Sequence, residues 1–415
     1  MSTTADPTLD APASAVQIPQ EVLDRIAAGA VDRELNRVLP FEQVAWLNEA
    51  GFGALRVPRQ YGGPGGTVED LIIEVIRLAE ADSNVAHLYR GHFGFVDSLL
   101  FKPEEQKQHW YAEVLRGRTV GNASTEKGGN ALGTLNTVLT RSEEGWLLNG
   151  EKFYSTGTIF SDYTRVSAAV EGEQGRRFAV VRTDHPGVTV HDDWDGFGQK
   201  LTGTGTTEFS SVPVEQIAVL DRRQGTHEAI HEAAFYQLYL LAVMAGIAKA
   251  AVRDAAATLA KRTRTFNTSA SGAQFKQDPL IQQILGRMSA KAYAAEATVL
   301  QTARIHDRAL DAGLDRGTGA PDFSGTLPPG VFESEIAVEK AQITVPELVQ
   351  QVTQDLFDTA GASAVLRSKA LDRHWRNART VATHNPIVFR ARAIGDYEIN
   401  GALPEGLSAI GDAKK

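Results

Sequence analysis

Two histidine-containing segments carry the residue types that most directly suggest chemistry. The first, His384-Asn385-Pro386, follows an apolar pattern at helical spacing, formed by Leu366, Ala370, Leu371, Trp375, Ala378 and Ala382. A residue before proline is pushed out of the α region, so this helix should end near His384. There the helix dipole favours a protonated imidazole, and the side chain can project into a pocket. A solvated surface histidine is the competing interpretation.

The second segment, His227-Glu228-Ala229-Ile230-His231, matches the HExxH pattern of zinc peptidases. On a helix this spacing places both histidines on one face, with the glutamate as a base. No downstream glutamate or histidine at a suitable distance offers a third ligand, and the segment opens an alanine-rich helix. We therefore predict no metal site and keep a zinc peptidase as the least favoured hypothesis.

Three polar stretches rich in small residues suggest a binding site for a flat molecule. They are GNASTE, with Asn122 and Ser124; NGEKFYSTG, with Tyr154, Ser155 and Thr156; and DDWDGFGQKLTGTGTTEF, with Trp194. Short hydroxyls, glycine amides and an aromatic side chain suit a heterocycle with hydrogen-bonding edges, although each stretch alone is also ordinary turn chemistry. No dinucleotide-binding GxGxxG, P-loop or GxSxG frame is present, which argues against a Rossmann, P-loop or α/β-hydrolase protein.

Composition narrows the class of protein further. The 415 residues carry a formal charge of -9 with no long basic run, which argues against nucleic acid as a partner. No cysteine is present, so disulfides and thiolate metal sites are excluded. Residues 1–20 are expected to be a flexible N-terminus without a signal peptide, and no run of about 18 apolar residues suggests a membrane span. A soluble cytoplasmic protein is the expectation.

The elements that must position these residues fall into three blocks. Residues 21–117 show helical periodicity, with Thr67 and Asp70 resembling a capping box. Residues 118–222 consist of short runs rich in Val, Thr, Phe and Tyr, which predict a small antiparallel β domain. Residues 223–415 return to long helices, which suggests a bundle whose apolar faces continue into neighbouring subunits. The predicted fold class is α+β, mostly α.

From about residue 20 to 403 the chain resembles the acyl-CoA dehydrogenase superfamily. The resemblance rests on RVPRQYGG, on the NGEKFYSTG strand, on Phe209 to Pro213 at the end of the β domain, and on the RNAR helix. It implies an N-terminal helical domain, a central β domain and a C-terminal four-helix bundle, with a flavin between them and a homotetrameric assembly.

Within that superfamily, Asn385 discriminates between two kinds of enzyme. Dehydrogenases of this type carry a glutamate here that abstracts the α-proton of the substrate, and an amide cannot accept that proton. The chain is similar instead to the flavin-dependent monooxygenase branch. That likeness implies reduced FMN from a separate flavin reductase, a C4a-hydroperoxyflavin formed with O2, and oxygenation of a small organosulfur or amine substrate. An FAD-dependent acyl-CoA dehydrogenase with a relocated base is the alternative, and a non-catalytic flavin-binding module is the remaining one.

The resemblance also implies roles for individual residues. The catalytic set is His384, beside the flavin C4a, with Thr156, near N5, Asn122 and His87. The cofactor-binding set is Asn122, Ser124, Tyr154, Ser155, Thr156, Trp194, Arg264, Gly361 and Ser363, with Arg264 on the phosphate. The substrate pocket is formed by His87, Gly91, His92 and Asn385. The chain departs from the branch at three of these positions: Asn385 replaces an aspartate, Gly91 a pocket tyrosine and Ser363 an arginine near the phosphate.

Overall fold

Helices and strands follow one another in three blocks along the chain. The computed structural model describes residues 17–128, 135–143, 145–173, 176–221, 226–263, 269, 272, 274–312 and 329–403. Most of the N-terminus predicted to be flexible lies outside these ranges, and so does Arg264.

The first block is helical, as predicted. Its α-helices are α1 (Gln20–Ala28), α2 (Ala30–Asn36), α3 (Phe41–Glu49), α4 (Val68–Ala81), α5 (Ser83–Leu88), α6 (Arg90–Ser98) and α7 (Glu104–Leu115). The capping box at α4 is confirmed, because the Asp70 amide donates to the Thr67 hydroxyl and the Thr67 amide donates to the Asp70 carboxylate. The periodicity from Thr67 to Leu100 suggests one helix. The structure breaks it at Asp82, whose extended backbone and side chain cap α5.

The middle block forms a mixed sheet. In the described residues its strands are β1 (Val120–Ala123), β2 (Val138–Ser142), β3 (Gly145–Lys152), β4 (Tyr163–Val170), β5 (Arg176–Arg182), β6 (Val188–Val190), β7 (Thr207–Val214) and β8 (Val219–Asp221). The order is β6-β7-β3-β2-β4-β5-β8, and β1 pairs with β4. The pairs β1–β4 and β2–β4 are parallel. The expectation of a purely antiparallel domain is thus corrected, because parallel neighbours require crossovers that strand patterns alone do not reveal.

The third block contains long packed helices. They are α8 (His227–Ala260), α9 (Pro279–Ala312), α10 (Glu333–Ala360), α11 (Asp372–Ala382) and α12 (Ile387–Asn400). Helix α8 packs against α4, α9 and α10 and contributes much of the main apolar core. By length and composition alone, α8 is long and apolar enough to cross a membrane. However, 83% of its most apolar window is buried inside the protein, as in a central bundle helix.

The helix that leads to His384 is shorter than its periodicity suggests. It begins at Asp372, because Ala370 adopts a left-handed backbone (φ 46°) and residues 362–369 form short 3-10 turns. Trp375 was expected on the apolar face, but it is 40% exposed and stacks on Phe197. The end of the helix at Ala382 agrees with the prediction from Pro386, so His384 lies just beyond the last turn.

Candidate active site

The sheet face that meets α8 is polar at its centre. Asn122 on β1 lies opposite Arg165 on β4, and Ser167, two residues further along β4, lies opposite Phe178 on β5. Because register partners point to the same face of a sheet, these side chains share one surface. Asn122, Arg165 and Phe178 line a cavity of about 860 Å³, part of it open to solvent. The mostly apolar strand β4 therefore contributes a polar side chain to one wall of the cavity.

Helices and one loop form the opposite wall of this cavity. Helix α6 contributes Arg90, α8 contributes Glu232, Tyr236 and Gln237, and the loop after α11 contributes His384 and Asn385. The Tyr236 ring lies directly over Gly94, where an added Cβ would come within 2.3 Å of ring atoms. The absence of a side chain at Gly94 therefore lets Tyr236 lie flat against α6.

The charge of Arg90, which lines the cavity, acts on the imidazoles of His384, in the same lining, and of His87, which lies outside it. Burial, followed by the charge of Arg90, lowers the pKa of His87 to about 4, although its hydrogen bond with Gln199 opposes the shift. Burial, Arg90 and His87 lower the pKa of His384 well below its ordinary value, with Asn385 opposing. His384 lines the cavity and is solvent-exposed in the single chain. Both rings are therefore uncharged at neutral pH.

Asn385 is fixed by a short chain of amides. Its Nδ2 donates to Oε1 of Gln237 at 2.6 Å, and Nε2 of Gln342 donates to the same oxygen at 3.1 Å. Asn385 is only 7% exposed. At the position where a dehydrogenase holds its base, this chain has a buried donor committed to a neighbouring helix.

Asn122 presents a donor to the cavity. Its Oδ1 accepts from Ser124 Oγ at 3.2 Å, and the Ser124 carbonyl accepts from Ser167 Oγ at 2.8 Å. Asn122 lines the cavity, and within the described part of the chain its Nδ2 has no protein acceptor. The Asn122 amide can therefore donate a hydrogen bond to a bound molecule.

A chain of hydroxyls connects Thr156 to His87 through Gln199. Thr156 Oγ1 lies 2.8 Å from Thr204 Oγ1, which lies 2.7 Å from Thr202 Oγ1, and Thr202 donates to the Gln199 carbonyl at 2.9 Å. The Gln199 side chain accepts from His87 Nδ1 at 3.1 Å, and its amide nitrogen donates to Ser83. Gln199 is buried with a positive φ of 50°, a conformation that a surrounding structure must hold in place.

Aromatic and polar groups beside this chain fit the heterocycle expected from the sequence. Tyr154, with φ 60° and 49% exposed, lies 6.0 Å from the Trp194 ring. The neighbouring Ser155 is fully buried, and its hydroxyl has no partner in the described residues. An aromatic pair, partly exposed, next to the unpartnered Ser155 hydroxyl would suit the flat ring and polar edge of a flavin.

Gly361 and Ser363 lie in a separate region. Ser363 lines an open cavity of about 950 Å³ with Lys261, Arg262 and Lys369, and Lys369 donates to its hydroxyl at 3.2 Å. An added Cβ on Gly361 would lie 2.8 Å from the Arg262 guanidinium. These cations would suit a phosphate, but in the single chain the structure does not bring them together with His384.

His92 and Gly91 have structural roles in this chain. His92 Nε2 donates to the Gly53 carbonyl at 2.8 Å, and its Nδ1 accepts from the Val120 amide at 3.2 Å. Both ring nitrogens are thus used by backbone, so the placement of His92 in the pocket is corrected. Gly91 lies behind Asn122, where a Cβ would be 2.8 Å from that residue's Cβ. Its missing side chain lets α6 approach β1 closely.

The HExxH residues are committed to protein partners. Glu228 forms an ion pair with Lys102, and His231 Nε2 lies 3.0 Å from Asp97 Oδ2. Among the described residues there is no group of three or more metal-ligating side chains. Nothing in this arrangement supports the zinc peptidase hypothesis.

Several cavity residues were missed by sequence reasoning. They are Arg90, Arg165, Glu232, Tyr236 and Gln237, and Gln199, which bonds His87 outside the cavity lining, was missed as well. A signal was available for Arg165, because an arginine interrupts the apolar strand YTRVSAAV, and for Glu232, which lies in a mostly apolar helix. Charged residues are almost never fully buried unless they are paired. The pair Arg165–Glu232 is the partnership that those two positions required.

Comparison with known proteins identifies the family to which the chain belongs. Three family models match in order: the acyl-CoA dehydrogenase N-terminal domain over residues 17–118, its middle domain over 122–212 and its C-terminal domain over 238–389. The chain is 27% identical over 399 residues to a probable FMNH2-dependent monooxygenase, SfnC, of Pseudomonas putida, covering 95% of this chain and 96% of that one.

Two further relatives have the same full-length correspondence. A dibenzothiophene monooxygenase of Rhodococcus qingshengii is 26% identical over 403 residues, covering 94% of each chain. The crystal structure of TdsC from Paenibacillus sp. A11-2 with FMN and indole has a TM-score of 0.84 and 25% identity, covering 94% of this chain and 98% of that one. The predicted family and fold are confirmed: the chain belongs to the acyl-CoA dehydrogenase superfamily.

Proposed function

We propose that this protein is a two-component monooxygenase that uses reduced FMN and O2 to oxygenate a small organosulfur compound. Its similarity to FMNH2-dependent and dibenzothiophene monooxygenases over nearly the whole chain supports this proposal. The observation that carries it is the hydrogen bond from Asn385 to Gln237. At the position where a dehydrogenase has its catalytic base, this chain has an amide that donates a hydrogen bond.

The alternative, an acyl-CoA dehydrogenase with a relocated base, requires another carboxylate in the cavity. Among the described lining residues, Glu232 is the carboxylate present. It forms a buried ion pair with Arg165, and both side chains are at most 3% exposed. An arginine partner favours the charged carboxylate and makes it a weaker base. This arrangement disfavours the dehydrogenase.

Tyr154, Trp194, Thr156 and Asn122 would hold reduced FMN, and His384 would serve as the proton-transfer group. When bound, reduced FMN supplies the two electrons with which one oxygen atom enters the substrate and the other leaves as water. Asn122 Nδ2 and Thr156 Oγ1 would orient polar atoms by hydrogen bonds. Neutral His384 can accept or return a proton, and the cavity walls limit access of water.

The proposal includes partners. A separate flavin reductase would supply FMNH2, as the relatives' FMNH2 dependence suggests. A homotetramer is supported by α12, which has no buried residue in the single chain and exposes Val388, Phe389 and Ile399 by 67–81%. A cytoplasmic location also stays a prediction. The use of FMN rather than FAD is supported by the FMNH2 dependence of SfnC and the FMN-bound structure of TdsC.

The test supplies the purified protein with NADH, a flavin reductase, FMN and isotopically labelled dioxygen, and offers dibenzothiophene and methyl phenyl sulfide. We expect one labelled oxygen atom in the sulfoxide product. In parallel, the FAD-loaded protein is mixed anaerobically with acyl-CoA esters of several chain lengths. Bleaching of FAD without labelled product would refute the proposal and favour the dehydrogenase.

A further inference from the structure

The guanidinium of Arg165, a residue that lines the cavity, has unused hydrogen-bond donors along one edge. Arg165 is 1% exposed, and its Nη1 pairs with Glu232 Oε1. Its Nε and Nη2 are buried and have no hydrogen-bond partner in the described part of the chain. An unpaired buried donor is costly, and a charged one more so, which points to a ligand that completes the site.

The unused donors form the edge of arginine that binds an oxyanion in bidentate fashion. Elsewhere in this chain the same edge of Arg56 donates to both oxygens of Asp97, at 2.7 and 3.1 Å. At Arg165 the guanidinium carbon lies 3.9 Å over the Phe178 ring, which fixes the plane of the fork. The Nε–Nη2 edge of Arg165 is therefore held in one orientation, and no carboxylate of the described residues occupies it.

The surrounding charge favours an anion. Arg90 and Arg176 line the same cavity, and Glu232 is the carboxylate found among the described lining residues. Arg90 donates from Nε to the Tyr236 carbonyl at 3.0 Å and stacks over the Tyr236 ring, without an ion pair among the described residues. Burial lowers the pKa of Arg90 to about 10, which leaves it charged at neutral pH.

We propose that Arg165 is the centre of an oxyanion subsite, so that the substrate is an organosulfur acid carrying a sulfinate, sulfonate or carboxylate group. Our assignment of the bound oxyanion to the substrate rests on the proposed function, because it assumes that oxygenation takes place in this cavity. Asn122 lies opposite Arg165 in the strand register, so the bound oxyanion is within a small molecule's length of the amide beside His384. The subsite would hold one end of the substrate and orient its sulfur.

The first test uses two probes of nearly the same shape: methanesulfonate, which is an anion, and dimethyl sulfone, which is neutral. Titration calorimetry on the full-length protein, with and without FMN, is expected to show methanesulfonate binding at least about tenfold more tightly. Equal affinities would overturn the subsite. This measurement needs neither oxygen nor turnover. Selective sulfonate binding together with no labelled product, from the neutral sulfides or from added methanesulfinate, would refute the proposed function and retain the subsite.

The second test removes both charges of the pair in the double variant Arg165→Met/Glu232→Gln, which leaves no unpaired buried carboxylate. We expect its affinity for methanesulfonate to fall at least about tenfold while its affinity for FMN is unchanged. Arg177→Met is the matched control, since Arg177 lies next to Arg176 but pairs with Glu173 and Asp221 outside the cavity. Unchanged sulfonate binding in the double variant, or loss of FMN affinity instead, would overturn the proposal.

Discussion

Asn385 donates from Nδ2 to Oε1 of Gln237 at 2.6 Å, and this bond joins the loop after α11 to the central helix α8. Gln237 Oε1 also accepts from Gln342 on α10, so two helices and one loop meet at one oxygen atom. The position that would carry a proton-abstracting carboxylate in a dehydrogenase is thus part of the internal scaffold. A carboxylate introduced here would face an acceptor.

Asn385→Asp should therefore destabilise the protein. The new carboxylate would be buried against the Gln237 carbonyl oxygen without its donor, and we expect the free energy of unfolding at pH 7 to fall by about 1–3 kcal/mol. Urea denaturation measures the change. The control is Gln283→Glu in the exposed first turns of α9, expected to stay within about 0.5 kcal/mol of the wild type. A wild-type midpoint for Asn385→Asp would show that the amide chain does not matter.

His384→Ala should separate oxygenation from flavin binding. Without the imidazole, proton transfer at the cavity loses its partner, so we expect product per NADH to fall by roughly 100-fold and hydrogen peroxide to rise. The affinity for reduced FMN should change little. Because the pKa of His384 is lowered well below 6.5, product yield should show no inflection from this residue between pH 6 and 8. Unchanged product yield in the variant would remove His384 from the mechanism.

Thr156→Val tests the hydroxyl chain. Valine keeps the shape of threonine but breaks the 2.8 Å contact with Thr204, so we expect product per NADH to fall about tenfold or more as peroxide leaks. Thr156→Ser should retain most of the wild-type yield, because it keeps the hydroxyl. Thr189→Val on exposed β6 is the matched control. If Thr156→Val and Thr156→Ser give the same product per NADH, the Thr156 hydroxyl has no role in oxygenation.

The two buried carboxylates Glu335 and Glu339 predict a pH dependence of stability. Burial, followed by the charge of Glu339, raises the pKa of Glu335 from its ordinary 4.5 to about 8, with Arg390 opposing. Between these values the unfolded chain releases a proton that the folded one retains, so stability falls as pH rises from about 4.5 through 8. For each pH unit that separates the folded and unfolded pKa values, the free energy of unfolding falls by about 1.4 kcal/mol.

Glu335→Gln should flatten that part of the profile, measured as the unfolding free energy at intervals from pH 5 to 8.5. Glu333→Gln, an exposed change two residues away in the first turn of α10, should leave the slope as in the wild type. Parallel slopes for Glu335→Gln and wild type would place the titrating group elsewhere.

Much of the fold could be predicted from local signals. The Thr67–Asp70 box marks the start of α4, and Pro386 marks the end of α11, because both signals act over three or four residues. The break at Asp82 was hidden by helical residues on both sides, since a cap depends on where one side chain turns. The parallel pairings of β4 depend on crossovers and carry no local pattern.

The site was predictable where a motif marks it and not where tertiary contacts create it. His384 and Asn122 were found from motifs, and they line one cavity. Gln199 joins His87 to the Thr156 hydroxyl chain through contacts between distant segments, which periodicity does not show. His92 matched the pocket by position, but the register of β1 against α6 commits both of its nitrogens to backbone.

The contact between Gly94 and the Tyr236 ring restricts the order in which this pocket can change during evolution. Any residue with a Cβ at position 94 would come within 2.3 Å of the ring, so that substitution requires the Tyr236 ring to move or a smaller side chain to replace it. The reverse order is open, because a smaller residue at 236 leaves space. Lineages that reshape this wall are therefore expected to pass through the change at 236 first, and historical reconstructions can look for that sequence of events.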